Sequence, residues 1–148
     1  MSRRTIAILF LIFMMLHGGS EPTHAQEIPD SESQVVAYYF HRTFRCQTCL
    51  KIEDLAKNSI TGHLASDIDS GELTWQSNNI EKPEFAHFEE EFNIEGPSLV
   101  ITRYADGKLQ EWIILERVWD LTEDPKEFDE YVTGTVEKYL ETVSGYSR

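Results

Sequence analysis

The sequence predicts an α/β domain, a mixed central sheet with helices on both faces, and three observations carry that prediction. Gln34 to Phe40 (QVVAYYF) is a continuous β-branched and aromatic run, the pattern of a strand buried on both sides. Segments with helical spacing then alternate with strand-like segments. Near the end of that alternation stands Asp106-Gly107, a tight-turn signal that adds a hairpin to a sheet otherwise built by crossovers.

The elements follow in order. After the strand, His41 to Arg45 is a short linker and Cys46 to Ser59 a helix, with Cys49, Ile52, Leu55, Ala56 and Ile60 as its buried stripe. Gly62 to Gly71 is a connection holding a helical turn near His63 to Ile68. Glu72 to Asn78 (ELTWQSN) alternates as a second strand. Pro83 opens a helix over 84–92, with Phe85, Phe88 and Phe92 along one face and Glu89, Glu90 and Glu91 outside. Gly96-Pro97 leads into the strand SLVITRY, the 105–108 turn returns the chain through LQEWIIL, and a last helix begins at Asp124-Pro125. Its apolar positions are Phe128, Tyr131, Val132, Val136, Tyr139, Leu140 and Val143, with Gly134 weakening the middle. Trp75, Trp112 and Trp119 read as core or rim aromatics.

Residues 1–25 are set apart from this domain. Arg3 and Arg4 precede an apolar run from Ile6 to Leu16, and small and polar residues follow as far as Ala25. That order is a secretory signal, too short in its apolar part to span a bilayer, and an uncleaved anchor is its other reading. Residues 26–33 form a polar strip, and 34–148 form one domain. The expected product is exported, to a periplasmic or extracellular location, and is not an integral membrane protein once the signal is removed. The formal net charge is −13, and loss of Arg3, Arg4 and Glu21 makes the remainder one unit more negative. Such acidity excludes a nucleic-acid partner, which needs a basic stripe, and suits a solvated face.

The 2 cysteines, Cys46 and Cys49, stand three apart at the predicted helix start. Outside the cytoplasm a disulfide between them would persist, but so short a loop stabilises little, so the chemistry of the pair is the point of interest. Cysteines at i and i+3 share a helix face and come close enough to join. The first lies where unpaired N–H groups and the helix dipole favour a thiolate, making Cys46 the nucleophile and Cys49 the resolving thiol. Arg45 and Arg42 add positive potential beside Cys46 and lower its pKa further; exposed solubilising charge is the other reading of both, and the better one for Arg42. No nucleotide fingerprint, phosphate loop or hydrolytic motif is present.

CQTC after the first strand, NIEGPSLVI leading into the third and ADGK in the hairpin together resemble the thioredoxin-like superfamily, from Val35 to about Val143. More narrowly, YYFHRTFRCQTCLKIE is similar to the exported proteins of the ArsF family, whose arsenic and nitroreductase associations are not carried over. The resemblance implies a thioredoxin fold. It also implies that Pro97 is cis and lies beside the cysteines, where it and Gly96 bind the substrate backbone; a trans turn proline is the alternative. The chain departs from the pattern in three places. Arg45 stands where thioredoxins usually have tryptophan, Gln47-Thr48 replaces glycine-proline, and the first strand lacks a buried acid. His41 is the substitute proton carrier in reach, or else a hydrogen-bonded surface residue.

The implied function is extracytoplasmic thiol–disulfide exchange. The Cys46 thiolate attacks a substrate disulfide and Cys49 resolves the mixed disulfide. Its partners are thiol or disulfide proteins and a redox partner protein, and no bound cofactor is required. The competing class is a non-catalytic thioredoxin-like binding subunit, or a metallochaperone holding copper(I) or zinc on Cys46, Cys49 and His41. Against a closed zinc site stands the lack of a second cysteine pair, so no metal is expected.

Overall fold

The computed structural model describes residues 33–146. The leader and nearly all of the polar strip lie outside the described residues. The order is β1 (Gln34–His41), α1 (Gln47–His63), α2 (Ala65–Ser70), β2 (Leu73–Asn79), α3 (His87–Glu91), β3 (Ser98–Ala105), β4 (Lys108–Ile114) and α4 (Pro125–Tyr146), with a 3-10 turn over Glu116–Trp119. The 4-stranded sheet runs β2-β1-β3-β4. β1 is parallel to β2 and antiparallel to β3, and β3 is antiparallel to β4. A β-α-β crossover followed by a ββα unit in that strand order is the thioredoxin-like arrangement.

β1 explains why its sequence lacks polar alternation. Val35, Ala37 and Tyr39 face one core with Ile52, Ala56 and Ile60 of α1 and Phe128, Val132 and Val136 of α4. Val36, Tyr38 and Phe40 face the other, with Ile80, Phe92, Ile94 and Val100. A strand covered on both faces has no side left for polar residues. The second core is largely aromatic: the Phe88 and Phe92 rings lie 5.5 Å apart and Tyr38 stacks on Phe40 at 5.3 Å.

The hairpin forms where expected, with Asp106 at φ 51° and Gly107 at φ 68°. Two consecutive positive φ values are what a tight two-residue hairpin needs, and Asp-Gly tolerates them. Two expected helix boundaries move, the first being α1, which runs on past Ser59 to His63. The helix anticipated over 84–92 is shortened to His87–Glu91, because the chain after Pro83 makes successive turns instead. Phe85 N and Ala86 N both donate to the Lys82 carbonyl, and Phe88 N donates to that of Phe85. Phe88 and Phe92 consequently join the core, while Phe85 stays half-buried in the turn. Gly134 does not interrupt α4. Among the described residues, no helix is long and apolar enough to cross a membrane.

Candidate redox site

β1 ends at His41 and β2 at Asn79, side by side, while β3 begins at Ser98 beside Phe40. The segments 42–46, 80–86 and 95–97 therefore gather at one end of the sheet. α1 starts there. Cys46 is its N-cap, in extended backbone, and its Sγ accepts from Cys49 N at 3.0 Å. Cys46 and Cys49 are joined by a disulfide with Cα atoms 5.0 Å apart. Cys46 is exposed and Cys49 is buried, 6% accessible. The first cysteine is thus exposed at a helix N-terminus, where a thiolate is favoured, and the second lies inside, where it is not.

The inner half is anchored by Tyr39. Its hydroxyl donates to the Cys49 carbonyl at 2.7 Å, within the buried core. Burial pushes the Tyr39 phenol up to about 12, and Arg45, whose guanidinium carbon lies 5.9 Å from the ring centre, opposes that shift. Arg45 itself turns inward. It donates to Glu53 Oε2, and Ser77 on β2 donates to Glu53 Oε1.

Arg42 is exposed, as expected, and is also engaged. It donates to the Glu95 carbonyl at 2.6 Å and lies 3.6 Å from Glu81 and 3.7 Å from Glu89. It thereby ties the segment before Cys46 to the segment before Pro97. Thr43 N donates to Glu81 at 2.9 Å. Hydrogen bonds from Thr43, with Arg42 behind them, hold the Glu81 carboxyl below its ordinary range.

Gly96 and Pro97 sit half-buried just before β3, at the same end as the cysteines. A Cβ on Gly96 would meet nothing within 4 Å, so this strip is open. His41 is at the strand end, with Nδ1–H donating to the Arg42 carbonyl at 2.9 Å. It makes no hydrogen bond to either cysteine among the described residues. Nor do His41, Cys46 and Cys49 form a metal-binding group: among the described residues no cluster of three or more His, Cys, Asp or Glu side chains converges on one point. Phe44, two residues before Cys46, is 87% exposed.

Sequence reasoning did not single out Tyr39, Glu53 or Ser77. Tyr39 read only as core. Glu53 carried a usable signal, since it follows Cys49 at i+4 and so shares its helix face.

No family model matches the chain, and no curated protein matches it; the narrower ArsF-type resemblance has no support from either. Solved structures similar to the chain are thioredoxins. Thioredoxin O2 of Arabidopsis thaliana in its oxidised state is 14% identical, over 64% of this chain and 74% of that one, with a TM-score of 0.39. The Malassezia sympodialis thioredoxin is 16% identical, over 68% and 79%, at 0.41. That of Fasciola hepatica is 13% identical, over 70% and 82%, at 0.39. The thioredoxin-like fold of this chain rests on its own strand order and on the cysteine pair capping α1 after β1.

Proposed function

We propose that this chain is a thiol–disulfide oxidoreductase of an extracytoplasmic compartment, acting through Cys46-Gln-Thr-Cys49. One observation carries the reading: a disulfide at a helix N-terminus, with its first cysteine exposed and its second buried. In the reduced form the Cys46 thiolate attacks one sulfur of a substrate disulfide, expelling the other as a thiolate. The Cys49 thiol gives up its proton and attacks Cys46 Sγ, closing the internal bridge and releasing the second substrate thiol. Two electrons pass to the substrate and no cofactor is needed. Run backward, the same steps oxidise a dithiol. The partner chain lies along Gly96 and Pro97, where the surface is open, and the signal at 1–25 delivers the protein to a compartment where disulfides persist.

The test compares two variants. Cys49→Ser, lacking the resolving thiol, should accumulate mixed disulfides with partner proteins, visible as adducts on non-reducing gels that dithiothreitol removes. Cys46→Ser should form none and should lose disulfide-exchange activity. Unchanged activity in Cys46→Ser would sink the reading.

A further inference from the structure

Arg45 directly precedes the attacking cysteine, yet its charge is already engaged. The guanidinium pairs with Glu53, both side chains being mostly buried at 23% and 16% exposure. Glu53 stands four residues beyond Cys49 on α1 and is fixed from the other side by the Ser77 hydroxyl of β2. The cation also lies over Tyr39, whose hydroxyl holds the Cys49 carbonyl. Arg45 Nε is buried with no hydrogen-bond partner, so the inward pose does not satisfy the guanidinium and depends on Glu53 to hold it. In a partly desolvated setting, where single charges act strongly, a closely paired cation and anion cancel most of each other's field.

We propose that Glu53 is a positioning residue that sets the redox poise of the Cys46–Cys49 couple, by holding the Arg45 guanidinium under α1 and cancelling its field at the sulfurs. The inference rests on the redox reading above and adds to it the group that tunes the couple. The sign follows from which form carries charge. The disulfide is neutral, whereas the reduced pair carries a thiolate, so an uncancelled cation favours the reduced form and makes the couple more oxidising. Arg45 alone would push that way, and Glu53 restrains it.

The test is equilibration of the full protein with glutathione at one pH, with the dithiol fraction read by alkylation and mass. Two glutathione thiols give up two electrons and form glutathione disulfide. The Cys46–Cys49 bond breaks, its sulfurs take up the electrons, and the released protons go to them or to buffer. Glu53→Gln keeps the shape and removes the charge. It should shift the equilibrium toward the dithiol by about threefold to tenfold, the upper figure being about 30 mV. With Arg45→Gln already present, adding Glu53→Gln should shift it less than about twofold, because coupled residues lose their effect together. Ser77→Ala, which loosens Glu53 without removing it, should move the equilibrium the same way by a smaller factor, and serves if Glu53→Gln does not fold. A folded Glu53→Gln or Ser77→Ala with wild-type equilibrium would overturn the inference. So would an undiminished Glu53→Gln effect without Arg45, which would mean the carboxylate acts directly. A wild-type protein that does not exchange with glutathione at all would overturn the redox reading itself, and this inference with it.

Discussion

The Tyr39 hydroxyl donates to the carbonyl of Cys49 across 2.7 Å, joining an inner strand of the sheet to the inner cysteine of the pair. Tyr39 is fully buried, and its backbone lies opposite Leu99 of β3 and Ser77 of β2. The sheet therefore sets the position of the first turn of α1 through a side chain as well as through packing. Tyr39→Phe keeps the ring and deletes that bond. It should cost about 1 kcal/mol of folding stability, the usual net worth of one intramolecular hydrogen bond, read from the urea midpoint. A midpoint equal to wild type would show that the bond contributes nothing.

The same residue predicts behaviour in alkali. Burial raises the Tyr39 phenol from its ordinary 10.0 to about 12, so the folded protein holds this proton more tightly than the unfolded chain. Its contribution to stability is complete below pH 10 and is lost as pH rises from about 10 through 12. Tyr38, Tyr104 and Tyr139 are raised in the same direction, chiefly by burial. Stability should fall across that window in the wild type and fall less steeply in Tyr39→Phe. Parallel curves for the two proteins would contradict the assignment.

Gly96 separates folding from recognition. A Cβ there meets open space, so Gly96→Ala should change stability by less than about 0.5 kcal/mol. Gly96→Phe should fold equally well but fill the strip before Pro97. Its exchange with a protein disulfide should then slow several-fold while exchange with glutathione, which needs no groove, stays close to wild type. Equal slowing of both would place the partner's chain elsewhere.

Gly134 lies within α4, and an added Cβ again meets nothing within 4 Å. Gly134→Ala should stabilise the domain by about 0.5–1 kcal/mol, because alanine loses less backbone freedom on entering a helix. Thermal denaturation checks it, and a lowered Tm would mean that glycine is needed at that point of α4.

What could be read from the chain alone was local. Val35 to Phe40 lacks polar residues because its faces enter two different cores, and that leaves a mark in six consecutive positions. Asp106-Gly107 states its turn in two residues, and the cysteine spacing states its own chemistry in four. The charge around the cysteines was not legible in the same way. Arg42 is the exposed charge its sequence suggests, but its partners Glu81, Glu89 and the Glu95 carbonyl come from other segments of the fold. Arg45 looked like a free cation beside Cys46, but its pairing needs Glu53 from a later turn of α1 and Ser77 from a different strand. The short α3 was hidden for a related reason. Phenylalanines at helical spacing satisfy the period whether the turns between them are α-helical or not, and the bonds around Lys82 decide it.

The most direct test of the account is a redox titration of the Cys46–Cys49 pair in the metal-free protein, in graded dithiol/disulfide buffers, with each thiol located by alkylation and peptide mass. The account predicts one reversible two-electron transition, with a midpoint between about −270 and −120 mV, the span of thiol–disulfide enzymes from reductant to oxidant. In the reduced protein Cys46 should alkylate well before Cys49. A pair that stays in one state at every poise, or a Cys49 that reacts first, would contradict it.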